Sequence, residues 1–185
     1  MKRGTFKKLT YQEAIEKQRN TPPRGLKLTS KRTKTPKRDL MPQRVKRAKL
    51  ELVILSHTFV RSRDSMFKSP LQGRCFTCNK VCSGGDFQAG HWEPDSTGGV
   101  LLRYHPLNMN GQGGYCCNIN RHGQQRIANE YTLKMIEKHG LEKVNALRRL
   151  KQKSIKADIL FYEKMLELYK TGDEQKVIDY LENLC

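Results

Sequence analysis

The stretch Cys75-Phe76-Thr77-Cys78-Asn79-Lys80, followed by Gln88-Ala89-Gly90-His91 and then by Cys116-Cys117-Asn118, decides how this chain is read. Two thiolates separated by two residues can reach one tetrahedral zinc from a tight turn. A second cysteine site further along strengthens that reading. Its usual form would be another Cys-x-x-Cys, but Gly113 and Gly114 stand where the first cysteine of that pair belongs. Cys75 and Cys78 are therefore clear ligands, and Cys117 or Cys116 is the third. The fourth is open between Cys82 and the other cysteine of the adjacent pair. Five of the six cysteines fall within 43 residues and Cys185 stands apart, whereas a disulfide scaffold would spread its bridges more widely. The rival to a metal is a lost site whose thiols pack as small hydrophobes.

Between the cysteine sites lies His91. A neutral imidazole on a short strand beside a metal-pinned turn can take a proton from water attacking a phosphodiester. The surrounding glycines let backbone approach a bulky ligand. Asn118 directly follows Cys117 at an expected helix start. Its carboxamide oxygen can coordinate a hard divalent ion or cap the helix, and geometry alone does not choose. Asn108 lies between these sites; His105 and His122 are further candidates with a surface or supporting role.

Working outward, the glycine-rich region after Pro70 does not suit a long helix. Short strands are expected around 86–92 and 100–105, joined by a turn at Ser96-Thr97-Gly98-Gly99. Upstream, Val45, Ala48, Leu52, Leu55, Phe59 and Val60 recur at helical spacing over 43–66, flanked by Arg44, Lys46, Arg47, Lys49, Arg61 and Arg63. Downstream of Gly123, four apolar stripes predict helices, the first closed by Gly140 and the third by Gly172. The helices of 141–185 would pack the core or form a surface for a homodimer.

The whole chain is 185 residues with a formal charge of +18, and it carries 36 Lys plus Arg against 18 acids. Residues 1–50 hold 17 of those basic residues and three acids. Residues 1–42, broken by prolines and poor in aliphatics, read as a disordered basic arm that contacts phosphates, with one short helix around 11–18. A solubility or localisation tail is the plainer alternative. So large a cationic excess predicts a polyanionic partner. No apolar run approaches the roughly 18 residues of a membrane span, and Met1-Lys2-Arg3-Gly4 lacks a signal core. An integral membrane protein and a secreted enzyme are not expected.

In order, Cys75-x-x-Cys78, Ala89-Gly90-His91, Leu102-Arg103-Tyr104, Asn108, Gln112, Cys117-Asn118, Glu130-Tyr131 and Gly140 resemble the NinG (Rap) family of lambda-like phages. The resemblance extends upstream through Thr58–Asp64 and downstream to about Tyr169. It implies an α+β, mostly helical chain with a small zinc-stapled ββα-metal (HNH-like, treble-clef) nuclease core at 67–140, flanked by helices. It implies an endonuclease cutting branched recombination intermediates in the cytoplasm of the bacterial host. His91 would be the general base. Asn118, with His91, would hold catalytic Mg²⁺ or Mn²⁺, and Asn108 would position the base or the scissile strand. Cys75, Cys78, Cys116 and Cys117 would hold a structural zinc, with Cys82 as substitute. An acidic residue can precede Ala-Gly-His in that pattern. Gln88 stands there, and Asp86, on the same face of a strand, would replace it as ligand. Lys46, Arg47, Lys49, Arg61, Arg63 and Arg103 would contact DNA, with phage recombination or replication proteins as further partners. A non-catalytic zinc-stapled DNA-binding accessory protein is the alternative, and an RNA-associated basic protein a third.

Overall fold

A computed structural model of the protein describes residues 40–66, 71–119 and 124–184. The basic arm, apart from its last three residues, lies outside the described residues, as do His122 and Cys185. The fold is mostly helical, with two small two-stranded sheets.

Helix α1 (Leu40–Arg63) buries Ala48, Leu52 and Val60 along one stripe and leaves Lys46, Arg47 and Lys49 in solvent. Strands β1 (Gln72–Arg74) and β2 (Val81–Ser83) pair antiparallel, Gly73 opposite Cys82. Residues 75–80 form the knuckle between them, closed by Cys75 N–H to Lys80 O at 2.8 Å and Asn79 N–H to Cys75 O at 2.8 Å. Strand β3 (Phe87–His91) pairs antiparallel with β4 (Met109–Gly113), placing Gly90 opposite Asn110 and His91 opposite Met109.

The second strand is therefore not at 100–105. Residues Asp95–Arg103 form helix α2, kinked at Gly99. The expected turn at 96–99 is its first half. Leu101 and Leu102 are both fully buried, but they enter different cores. The strand that does pair with β3 reads Met-Asn-Gly-Gln-Gly, with little β-propensity. Burial of Asn110 and Gln112 is offset by hydrogen bonds to both ends of the Asn110 amide and to the nitrogen of the Gln112 amide, whose Oε1 is buried without a partner among the described residues. Asn110 reaches the Tyr131 hydroxyl at 3.3 Å and accepts from Lys138 at 2.9 Å, and Gln112 donates to Thr77 at 2.6 Å.

After β4 the chain makes a single π turn, Gly114–Asn118, and four helices complete the fold: α3 (Gln125–His139), α4 (Leu141–Lys151), α5 (Ile159–Thr171) and α6 (Glu174–Asn183). Asp158 and Asp173 cap the last two, each accepting from backbone N–H groups of the first turn. One core joins α1, α5 and α6 around Leu101 and Tyr104; another joins α3 and α4 around Trp92, Leu102 and Leu107. A smaller cluster of Phe87, Ile127 and cysteines lies beneath the knuckle. The C-terminal helices thus brace α1, which forms one wall of the site below.

Candidate active site and metal centre

The knuckle and the π turn meet. Ligand sulfurs of Cys75, Cys78, Cys116 and Cys117 all lie within 4.8 Å of one another, and Cys78 and Cys116 are 3.4 Å apart. On an α-helical turn adjacent side chains diverge by roughly 100°. The wider π turn, closed by Ile119 N–H to Gly114 O at 2.9 Å, lets both cysteines face one centre. Burial, reinforced by the neighbouring thiols, pushes Cys117 up to about 12 and Cys116 higher still. Cys78 goes the other way: burial opposes its ionisation, but the Lys80 backbone N–H and adjacent thiols outweigh that and lower it. Four crowded sulfurs can be ionised together only with a cation among them to compensate their charge. An all-sulfur, closed set suits a structural metal such as zinc.

Cys82 lies outside this group. Its sulfur and that of Cys116 fill the space a Cβ at position 113 would need, so the missing cysteine of the second pair has no room there. Burial, then the nearby Asp86 carboxylate, raises the Cys82 thiol to about 11. It packs as a protonated thiol beside the cluster.

Across β3 from the cysteines, a groove of about 360 Å³ runs between α1 and the sheet, with His57, Thr58, Arg61, Gln88 and Asn118 among its lining residues. His91 Nε2 is 2.9 Å from the Arg103 carbonyl oxygen. A carbonyl only accepts, so Nε2 carries the proton and Nδ1 is the basic atom. The His57 ring stands edge-on to it, centroids 5.6 Å apart. Asn118 donates from Nδ2 to Gln88 Oε1 at 2.8 Å, and Gln88 donates to Gly85 O at 3.1 Å. That leaves Asn118 Oδ1 as the end of the amide able to accept a further bond. It passes so close over Gly90 that a Cβ there would sit 2.9 Å from it and collide with Gln112 Oε1. Gly90 is thus required by close approach.

Two expected ligands or effectors are placed otherwise. Asp86 precedes β3 in a 3₁₀ turn and accepts from Tyr115 N–H at 2.8 Å, so it caps the π turn and is not among the groove-lining residues. Asn108 is fully buried; it accepts from Glu93 N–H at 2.9 Å and donates to Glu93 O and Leu102 O. Its amide pins the chain after His91 to the end of α2, whose next carbonyl holds the imidazole. Asn108 thereby helps position the His91 ring and is not among the groove-lining residues. His105 is buried and neutral, lowered to about 3 by burial first, then by Lys143 and His139.

The match that decides kinship covers residues 3–172, against the family model described as Bacteriophage Lambda NinG protein. The chain belongs to the NinG family. No curated protein and no solved structure matches it. Membership makes this a phage recombination-related protein. Among the described residues no helix is long and apolar enough to cross a membrane.

The cations of this NinG-family chain divide into two kinds. Lys46, Arg47 and Lys49 are exposed on α1, and Arg61 reaches the groove. Arg103, half-buried, lies over the Tyr104 ring at 5.7 Å. Arg63 is different, and its expected place among the DNA contacts is corrected. It bonds Asp64 through Nε at 2.8 Å and Nη2 at 2.9 Å. It also bonds Glu174 at 2.6 Å and the carbonyls of Pro106 at 3.1 Å and Met109 at 2.8 Å. All five donors are spent inside the protein. Burial alone would lower its pKa, but the two carboxylates outweigh that and raise it.

The sequence reading missed His57. Its signal was weak: a histidine at the edge of an apolar helical stripe, with no motif around it. Only the packing of α1 on β3 brings it to His91.

Proposed function

We propose that this chain is a divalent-metal-dependent endonuclease that hydrolyses phosphodiesters in branched DNA during phage recombination. In this reading β3, β4 and the following turn are a ββα-metal core of the HNH kind, stapled by zinc at the four cysteines. The observation that carries it is an imidazole of fixed tautomer packed on groove-lining His57, with the carboxamide oxygen of groove-lining Asn118 lying over the neighbouring Gly90; His91 itself is not among the groove-lining residues. His91 Nδ1 takes the proton from water while its Nε2–H stays on the Arg103 carbonyl, which also steadies the imidazolium that forms. Asn118 Oδ1 would hold Mg²⁺ or Mn²⁺; His91, expected as a second ligand, would not, because Nε2 is protonated on the Arg103 carbonyl and the Nδ1 lone pair is used for the proton of water. Such an ion supplies Lewis-acid stabilisation of charge on the phosphate. Arg61 adds a fixed positive charge at the groove, and exposed Lys46, Arg47 and Lys49 extend the basic track along α1.

Among the described residues the groove lining includes no carboxylate, and Gln88 offers a neutral amide. That favours, as second reading, a zinc-stapled accessory protein that binds branched DNA without cutting it. Synthetic four-way junctions and flaps incubated with Mg²⁺ or Mn²⁺ separate the two. Wild type should cut and His91→Ala should lose about 10²- to 10⁴-fold in rate, the range for removing a general base. Tight junction binding with no cleavage under either ion would favour the accessory reading. Equal cutting by wild type and His91→Ala would remove His91 as the base.

A further inference from the structure

Tyr115 stands apart among the described tyrosines. Tyr104, Tyr131, Tyr162 and Tyr169 are buried and Tyr180 is half-buried, whereas Tyr115 is 80% exposed. It is not on a loose loop. Its N–H is held by Asp86, the turn is closed by its π-type hydrogen bond, and the next two residues point into the cysteine cluster. One turn on, Ile119 is 59% exposed, so an apolar pair faces solvent. Beside Tyr115 lies a recess of about 430 Å³ whose rim carries the exposed cations Lys80 and Arg126, against one acid, Glu130.

An exposed aromatic ring on a held backbone, next to two cations, fits a ligand with a flat apolar ring and an attached negative charge. A nucleotide of DNA is such a ligand, its base stacking on the ring while its phosphate meets the cations. Paired bases inside a duplex offer no free face; bases at a branch point or in a single-stranded flap do. The geometry points to Tyr115 as the stacking platform for an unpaired base of the branched substrate, with Lys80 and Arg126 holding the adjoining phosphate. This inference rests on the proposed branched-DNA reading and adds to it the element that tells a branch from a plain duplex. The recess is lined by Cys78, Cys116 and Cys117 as well, so the platform sits at the cysteine cluster, and the same turn carries Asn118 of the groove three residues on.

The test is binding without cleavage, measured with no added Mg²⁺ or Mn²⁺. Junctions and flaps carry 2-aminopurine at the branch, and matched duplexes serve as controls. Wild type should prefer branched DNA and quench the fluorophore. Tyr115→Ala should bind branched DNA about 10- to 100-fold more weakly, as expected for one lost stacked base, with duplex affinity unchanged. Tyr115→Trp should retain both binding and quenching, and Lys80→Ala/Arg126→Ala should weaken branched binding with a shallower salt dependence. Branched preference and quenching that survive Tyr115→Ala would overturn the assignment, as would an equal loss on duplex. If wild type shows no branched preference at all, the proposed substrate class fails first, and that outcome is distinct. Zinc content and circular dichroism of Tyr115→Ala should match wild type, since the ring contributes almost no burial.

Discussion

Replacing Arg63 by alanine should destabilise the fold without acting chiefly on DNA binding. The guanidinium is 19% exposed and its partner Asp64 17%, so both charges are largely out of water; Glu174, at 34%, is better solvated. Arg63→Ala would strip the counter-charge from Asp64 and leave the Pro106 and Met109 carbonyls without their donor. Breaking a buried ion pair by removing one partner costs about 3–5 kcal/mol, and the partly solvated Glu174 puts the expectation at the lower end. With a urea slope of about 1–3 kcal/mol/M, the midpoint should fall by roughly 1–3 M. Trp92, the single tryptophan and buried, reports unfolding by fluorescence. Arg63→Lys keeps the charge but not the fork and should recover only part of the loss. Removing Arg63 and Asp64 together should cost less than the two single losses added. Arg61→Ala should show the opposite profile, weaker DNA binding with little change in midpoint. A midpoint for Arg63→Ala within about 0.3 M of wild type, well below the shift a broken buried pair requires, would refute the reasoning.

Purified protein should contain one zinc per chain by elemental analysis; Cys117→Ser should lose it and Cys82→Ala should keep it, and the reverse pattern would move the fourth ligand to Cys82. Gly90→Ala places a Cβ against Gln112 and 2.7 Å from its Cδ, so it should cost about 1–3 kcal/mol by overpacking. It should also depress cleavage by displacing Asn118, with His91 untouched; full activity would show that Asn118 is not needed. The buried His105, held neutral to about 3, meets an unfolded imidazole near 6.5. The unfolded chain therefore binds the extra proton between those values, so this contribution is retained above pH 6.5 and lost progressively on acidification. His105→Gln should flatten the stability profile between about pH 4 and 6.5 in urea titrations, and an unchanged slope would contradict that.

Helix α1 and the helices after residue 123 were legible because their apolar spacing and terminal glycines are local signals, as at Gly140 and Gly172, where α3 and α5 end; α2 was not. The knuckle and β3 were legible for the same reason. The pairing strand was not: Asn110 and Gln112 are polar, and what makes their burial acceptable is Tyr131, Lys138 and Thr77, residues distant in sequence. The double leucine at 101–102 imitated a strand because each side chain enters a different core. At the site, His91 and the cysteines stood out by type and spacing. Asn118 could equally have been a cap until the Gln88 hydrogen bond fixed its direction, and Arg63 resembled its basic neighbours until its five donors were counted.

The turn from Gly114 to Asn118 has a consequence for how this protein can vary. Inserting or deleting one residue ahead of Cys116 would put both sulfurs and the carboxamide out of register with their partners together. Changes of length in that pentapeptide should therefore cost the molecule its cysteine cluster, while changes of letter at its outward position, Tyr115, should leave that cluster intact.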